Sequence, residues 1–160
     1  MFRLSITKDY LDFAAAHFIT YKGNCERLHG HNYQVQVEVV GELSSDGYVF
    51  DFVELKQIIA DECAHLDHRV LLQTENPQIL VTQRGESIEA RYQERFYCFP
   101  AADVVLLPIT NTTAELLAHY LAERIVVQLQ QRVTTKIAAV GVWVSESVGQ
   151  RAYAEVALKV

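Results

Sequence analysis

His29 and His31 stand two residues apart in HGHNYQVQV, where His29, His31, Tyr33, Val35, Val37 and Val39 alternate with polar residues. Period-two alternation marks a strand with one covered face, so both imidazoles project from the same side, as an H-x-H metal pair requires. A histidine on a covered face can equally be a hydrogen-bonded core residue, and the pair alone does not decide between the two. His17 closes the apolar run FAAAH upstream, and an antiparallel neighbour would bring it beside the pair. Three neutral imidazoles leave zinc an open position for substrate, the arrangement of a catalytic rather than a structural site.

Further candidates surround the trio. Cys25 precedes His29 by four residues in CERLHGH. It reads as an ordinary loop cysteine, as a fourth ligand, or as a base whose thiol pKa is lowered by a nearby dication. Asp67 and His68 follow a predicted helix; a carboxylate beside an imidazole makes a proton relay, and polar residues are also common at helix ends. Glu146 shares strand parity with Val140, Val142 and Val144. Its carboxylate could reach solvent or receive the paired N–H donors of a flat heterocycle. Cys63, in a helical pattern, and Cys98, in FYCFP, read as small buried hydrophobes, and His65 and His119 as solvated. Three cysteines without a C-x-x-C pair suggest neither a disulfide framework nor a zinc ribbon.

The elements that must position these groups follow from the patterning. Residues 2–8 and 12–18 read as extended with a bend near Asp9, and residues 20–27 as a polar loop. Asp51 with Glu54 opens a helix carrying Phe52, Leu55, Ile59, Cys63 and Leu66 to about Asp67; Thr112 with Glu115 opens a second, reaching about Gln130. Residues 137–146 and 151–158 form a terminal hairpin. The insert, about 73–108, holds three β-like runs. Neither repeat nor linker divides the 160 residues, half of them hydrophobic, so one domain over 1–160 is expected. A net charge of −6 argues against a nucleic-acid surface. The N-terminus lacks a signal-peptide pattern and the apolar runs are too short to span a membrane, so a cytoplasmic location is the default expectation.

In order, FAAAH, CERLHGHNY, DFVELK, LDHRVL, NTTAELLA and VWVSES resemble the 6-pyruvoyl-tetrahydropterin synthase-like family over nearly the whole chain outside the insert. The resemblance implies an α+β tunnelling fold: a four-stranded antiparallel sheet with two helices on one face, plus the β-rich insert, assembling into a barrel. It implies zinc on His17, His29 and His31, with Cys25, Asp67 and His68 in proton transfer. It further implies Glu146 and Thr113 as pterin-binding residues, and a homohexamer built from trimers. The gap between Cys25 and His29 and the DHR of Asp67 to Arg69 look more like the 6-carboxytetrahydropterin synthases of the queuosine pathway. That branch implies conversion of 7,8-dihydroneopterin triphosphate to 6-carboxy-5,6,7,8-tetrahydropterin, acetaldehyde and triphosphate, with Lys22, Arg27 or Arg69 meeting the triphosphate. The rivals are the 6-pyruvoyl synthase reaction, a zinc hydratase or hydrolase, and a non-catalytic zinc-dependent pterin-binding protein. Ala14, Thr112, Ala114 and Leu116 depart from the family's usual residues, and the insert is longer than its usual connection.

Overall fold

The structure, a computed structural model, describes residues 1–132 and 136–158. Two long strands form its centre, β1 (Phe2–His17) and β4 (His29–Gly41), antiparallel and paired at both ends, from Phe2↔Gly41 to His17↔His29. Between them lie the short β2 (Thr20–Tyr21) and β3 (Asn24–Cys25). Lys22 and Gly23, both at positive φ, make the two-residue turn that suits the twist of a hairpin. The bend expected near Asp9 is a register shift: the five steps from Thr7 to Asp12 oppose only the two from Gln36 to Gln34. The surplus is a bulge that leaves both ends of β1 paired.

Helix α1 (Phe52–Leu66) starts where the Asp51 carboxylate accepts from Val53 N (2.7 Å) and Glu54 N (2.9 Å). It buries Leu55, Ile58, Ile59, Cys63 and Leu66. Helix α2 (Ala114–Gln130) is capped by Thr113, one residue later than the pattern suggested, because Thr112 is fully buried and its hydroxyl donates to Phe18 O (3.2 Å). Both helices pack on one face of the sheet, α1 on β1 and α2 on β10 (Ile137–Ser147) and β11 (Gln150–Ala157). The main core lies between them, centred on Phe13, Tyr33, Val37, Leu55, Leu121 and Val142.

The sheet has six strands rather than four, in the order β11-β10-β4-β1-β5-β9. Its first four strands are antiparallel as expected. The other two, β5 (Arg69–Gln73) and β9 (Val104–Leu107), are short, parallel to β1 and to each other, and make the sheet mixed. Four- and five-residue apolar runs carry too little periodicity to be told from loop or core. The rest of the insert is a three-stranded meander, β6 (Leu80–Arg84), β7 (Ser87–Tyr92) and β8 (Arg95–Pro100). It packs Ile88, Ala90 and Tyr92 into a second apolar cluster with Phe18, Cys25 and Leu72. Cys98 is exposed, not buried, because β8 turns Tyr97 and Phe99 toward that cluster and alternation puts Cys98 outside. Cys63 is buried as expected, and burial pushes its thiol up to about 12. His65 and His119 are exposed.

Candidate metal centre and active site

The register of β1 on β4 sets His17 opposite His29, and period-two alternation places His31 on the same face. One ring nitrogen from each of the three lies within 4.8 Å of the others, and the ring centroids are 4.7 to 5.2 Å apart. Gly30 between the two ligand positions lets the strands close up: a Cβ there would sit 3.0 Å from Ala15 O. The Cys25 sulfur is not part of this cluster.

The donor chemistry fits a divalent metal. His17 Nδ1 lies 2.8 Å from Thr112 O, and His29 Nδ1 lies 2.7 Å from Arg27 O. A carbonyl can only accept, so each Nδ1 carries the proton and each Nε2 keeps its lone pair for a metal. Burial lowers the His17 pKa to about 4, offset in part by the Thr112 carbonyl, so the ring is neutral at pH 7 as a ligand must be. The Tyr33 hydroxyl lies 3.3 Å from both His17 nitrogens.

That depressed pKa has a measurable consequence. The unfolded chain takes up a proton at 6.5 that the folded chain refuses until about 4, so stability is present above pH 6.5 and is lost as pH falls toward 4. Metal-free protein is expected to lose roughly 3 kcal/mol across that window through this group. Urea unfolding at pH 7, 5.5 and 4.5 reads it, and His17→Gln should flatten the profile; equal slopes in both proteins would refute the assignment.

Asp67 and His68 are built into the backbone of β1. Ala14 N donates to Asp67 Oδ1 (2.8 Å), His68 N donates to Ala14 O (2.7 Å), and His68 takes φ +56°. A non-glycine residue there is uncommon and must be held by its surroundings, as these two bonds do. Asp67 Oδ2 meets His68 Nδ1 at 2.9 Å. The Ala14 N–H, and then the His68 side chain, hold the Asp67 carboxyl below its usual range. Both contacts fall at Ala14, three residues before His17 on β1. His68 and His31 line one open groove of about 480 Å³, with Arg69, Asn32 and Ala14.

Cys25 is buried in the satellite cluster. Burial pushes its thiol up and the Arg95 guanidinium opposes that, so the lowered pKa anticipated from a neighbouring dication is not a property of the chain by itself. Glu146, half-buried at the end of β10, has no hydrogen-bond partner for its carboxylate among the described residues. Its charge adds to burial in raising the Tyr33 pKa, and it lies two residues beyond Val144, which pairs with Val35, at the Tyr33 end of that pairing. The Thr113 hydroxyl accepts from Leu116 N (3.4 Å) and retains its own proton to donate.

Residues 5–156 match the family described as 6-pyruvoyl tetrahydropterin synthase. The chain belongs to that family. A 6-pyruvoyltetrahydropterin synthase structure from Plasmodium vivax superimposes with a TM-score of 0.88 at 30% identity, covering 98% of both chains, so the insert falls within the matched length. Two further structures of that protein carry substitutions of a glutamate described as a catalytic residue. A Methanocaldococcus jannaschii protein, provisionally named 6-carboxy-5,6,7,8-tetrahydropterin synthase, is 35% identical over 89% of this chain and 88% of its own. A dihydroneopterin monophosphate aldolase from Pyrococcus furiosus is 37% identical over 45% of this chain and 67% of its own. Within this family frame, His17, His29 and His31 make a cluster consistent with a metal site.

Several neighbours escaped the sequence reading. Thr112 orients His17 through its main-chain carbonyl, which no motif records. Glu26 Oε2 stands 3.9 Å from His29 Nε2; its place beside Cys25 and three before His29 was the available signal. Arg95 reaches the Cys25 loop from the insert, seventy positions away, and nothing in the spacing announces it. Among the described residues, no helix is long and apolar enough to cross a membrane.

Proposed function

We propose that residues 1–160 act as one zinc-dependent carbon–carbon lyase, converting 7,8-dihydroneopterin triphosphate and water to 6-carboxy-5,6,7,8-tetrahydropterin with release of acetaldehyde and triphosphate. The observation that carries this reading is the trio His17, His29 and His31, with the Nδ1 atoms of His17 and His29 held by carbonyls and their Nε2 atoms left unprotonated. Relatives named for this synthase support the substrate class. Zinc on the trio would supply Lewis acidity toward the substrate's side-chain hydroxyls.

The chain's own groups divide the remaining work. Glu146 would accept the paired N–H donors of the pterin ring, and Thr113 would donate its free hydroxyl proton to the same ring. Cys25 Sγ would take a proton from the substrate side chain. Asp67 Oδ2 fixes the His68 Nδ1 proton, which leaves Nε2 to exchange protons with substrate. Arg69 would meet the triphosphate, since it lines the groove with His31 and His68, whereas the Lys22 ammonium sits 5.1 Å over the Tyr21 ring. A homohexamer of two trimers around a barrel accords with a sheet whose edges, β9 and β11, pair on one side only among the described residues.

Glu26 favours a second reading. Its carboxylate beside His29, the glutamate described as catalytic in the Plasmodium vivax protein and the aldolase among the relatives together fit a base for aldol cleavage of the same side chain. Incubating zinc-loaded protein with 7,8-dihydroneopterin triphosphate and weighing the products separates the outcomes. Acetaldehyde with a 6-carboxy product is expected. A retained three-carbon side chain without triphosphate would mean the 6-pyruvoyl reaction. A 6-hydroxymethyl product with a phosphorylated two-carbon aldehyde would mean aldol cleavage, and unchanged bound pterin a binding protein.

A further inference from the structure

The meander of the insert is planted on the loop that carries Cys25 and Glu26. Tyr92 and Arg95 face each other across the turn between β7 and β8. From this one corner, the Tyr92 hydroxyl donates to Gly23 O (2.9 Å), and Arg95 Nη1 donates to both Cys25 O (2.8 Å) and Glu26 O (3.1 Å). Behind it, Tyr97 stacks on Phe18, the residue after His17, with ring centroids 4.9 Å apart. The opposite side of the loop is tied to the chain following His17 by Glu26 N donating to Ile19 O (2.9 Å). The Cys25–Glu26 peptide is therefore gripped from two sides, on the Arg95 side through its main-chain carbonyls.

We infer that Arg95 is a positioning residue: its guanidinium, delivered by the insert, holds the Cys25–Glu26 segment in the place from which these side chains reach substrate. This rests on the proposed role of Cys25 in proton transfer, taken by Glu26 in the second reading. One charged donor bridging two successive carbonyls is worth more than two neutral bonds, and removing it frees the peptide that aims both side chains. Its positive charge also faces the Cys25 thiol, whose burial it offsets. A displacement of about 1 Å in a reacting group can cost on the order of a hundredfold in rate, so a modest loosening of this loop is enough to be seen in turnover.

The test uses full-length zinc-loaded protein with Arg95→Ala, Arg95→Lys and Cys25→Ala. Arg95 lies at an exposed hairpin corner, and exchange in α2 serves as an internal control for folding. Arg95→Ala is expected to lower kcat about tenfold or more while KM moves less than about twofold, since positioning rather than ground-state binding is lost. Hydrogen exchange in peptides covering residues 19–28 should accelerate while α2 is unchanged, with or without zinc. Arg95→Lys, which retains a charged donor, should recover most of both effects. Unchanged exchange at 19–28 in Arg95→Ala would overturn the clamp. Faster exchange with unchanged kcat, in an enzyme that Cys25→Ala inactivates, would overturn its bearing on turnover. Full activity in Cys25→Ala is a different failure: it removes the premise about Cys25, and the exchange result still reports separately whether Arg95 holds the loop.

Discussion

His31→Ala protein is expected to fold yet to bind zinc at least about a hundredfold more weakly, and to lose turnover with the metal. Losing even an outer-shell partner commonly costs about ten- to a hundredfold in metal affinity, and a direct ligand costs no less. His31 is the informative position because it is half-buried at the groove, whereas His17 is buried against Thr112 and its loss would also disturb packing. Metal content after dialysis against a weak chelator, with circular dichroism to confirm the fold, reads the outcome. Stoichiometric zinc in His31→Ala would exclude the trio as the site.

Cys25→Ala should keep its zinc and lower turnover by about 10²- to 10⁴-fold, the range a positioned proton-transfer group contributes. The two observables separate the roles left open by the sequence. Loss of metal together with activity would make Cys25 a ligand, and retention of both would make it a buried loop residue. Glu26→Gln adds the discriminating arm. For the carboxylate-forming lyase the change should be small; for aldol cleavage it should fall in the same 10²- to 10⁴-fold range while Cys25→Ala does little. A chain with Cys25 and Glu26 adjacent can be assigned by which variant loses which product.

What the sequence made legible depended on how local each signal was. The parity of His29, His31 and Tyr33 is written in consecutive residues, and strand pairing turned it into a cluster once β1 lay alongside β4. Asp51 announced α1 because a cap acts within one turn. Thr112 misled by one residue, because its hydroxyl is committed to Phe18 O, a partner 94 positions away that local capping rules ignore. The strands β5 and β9 went unseen as sheet members since their pairing is parallel and long-range and their length allows no period. Cys98 was misplaced because FYCFP is apolar at nearly every position, so alternation could not show which face is covered. Arg95 was invisible for a further reason: it recognises carbonyl oxygens, which every residue possesses.

The surplus of residues in β1 between Thr7 and Asp12 acts as an expansion joint. Beyond it, Asp12 to His17 is locked to Gln34 through His29 one residue to one, and there a single deletion would turn His17 to the far side of the sheet. Within the slack at Lys8 to Tyr10, all exposed, the same deletion need only shorten the bulge. The two halves of one strand can therefore drift at different rates in evolution, the first with its length free to change and the second bound to the geometry of three imidazoles.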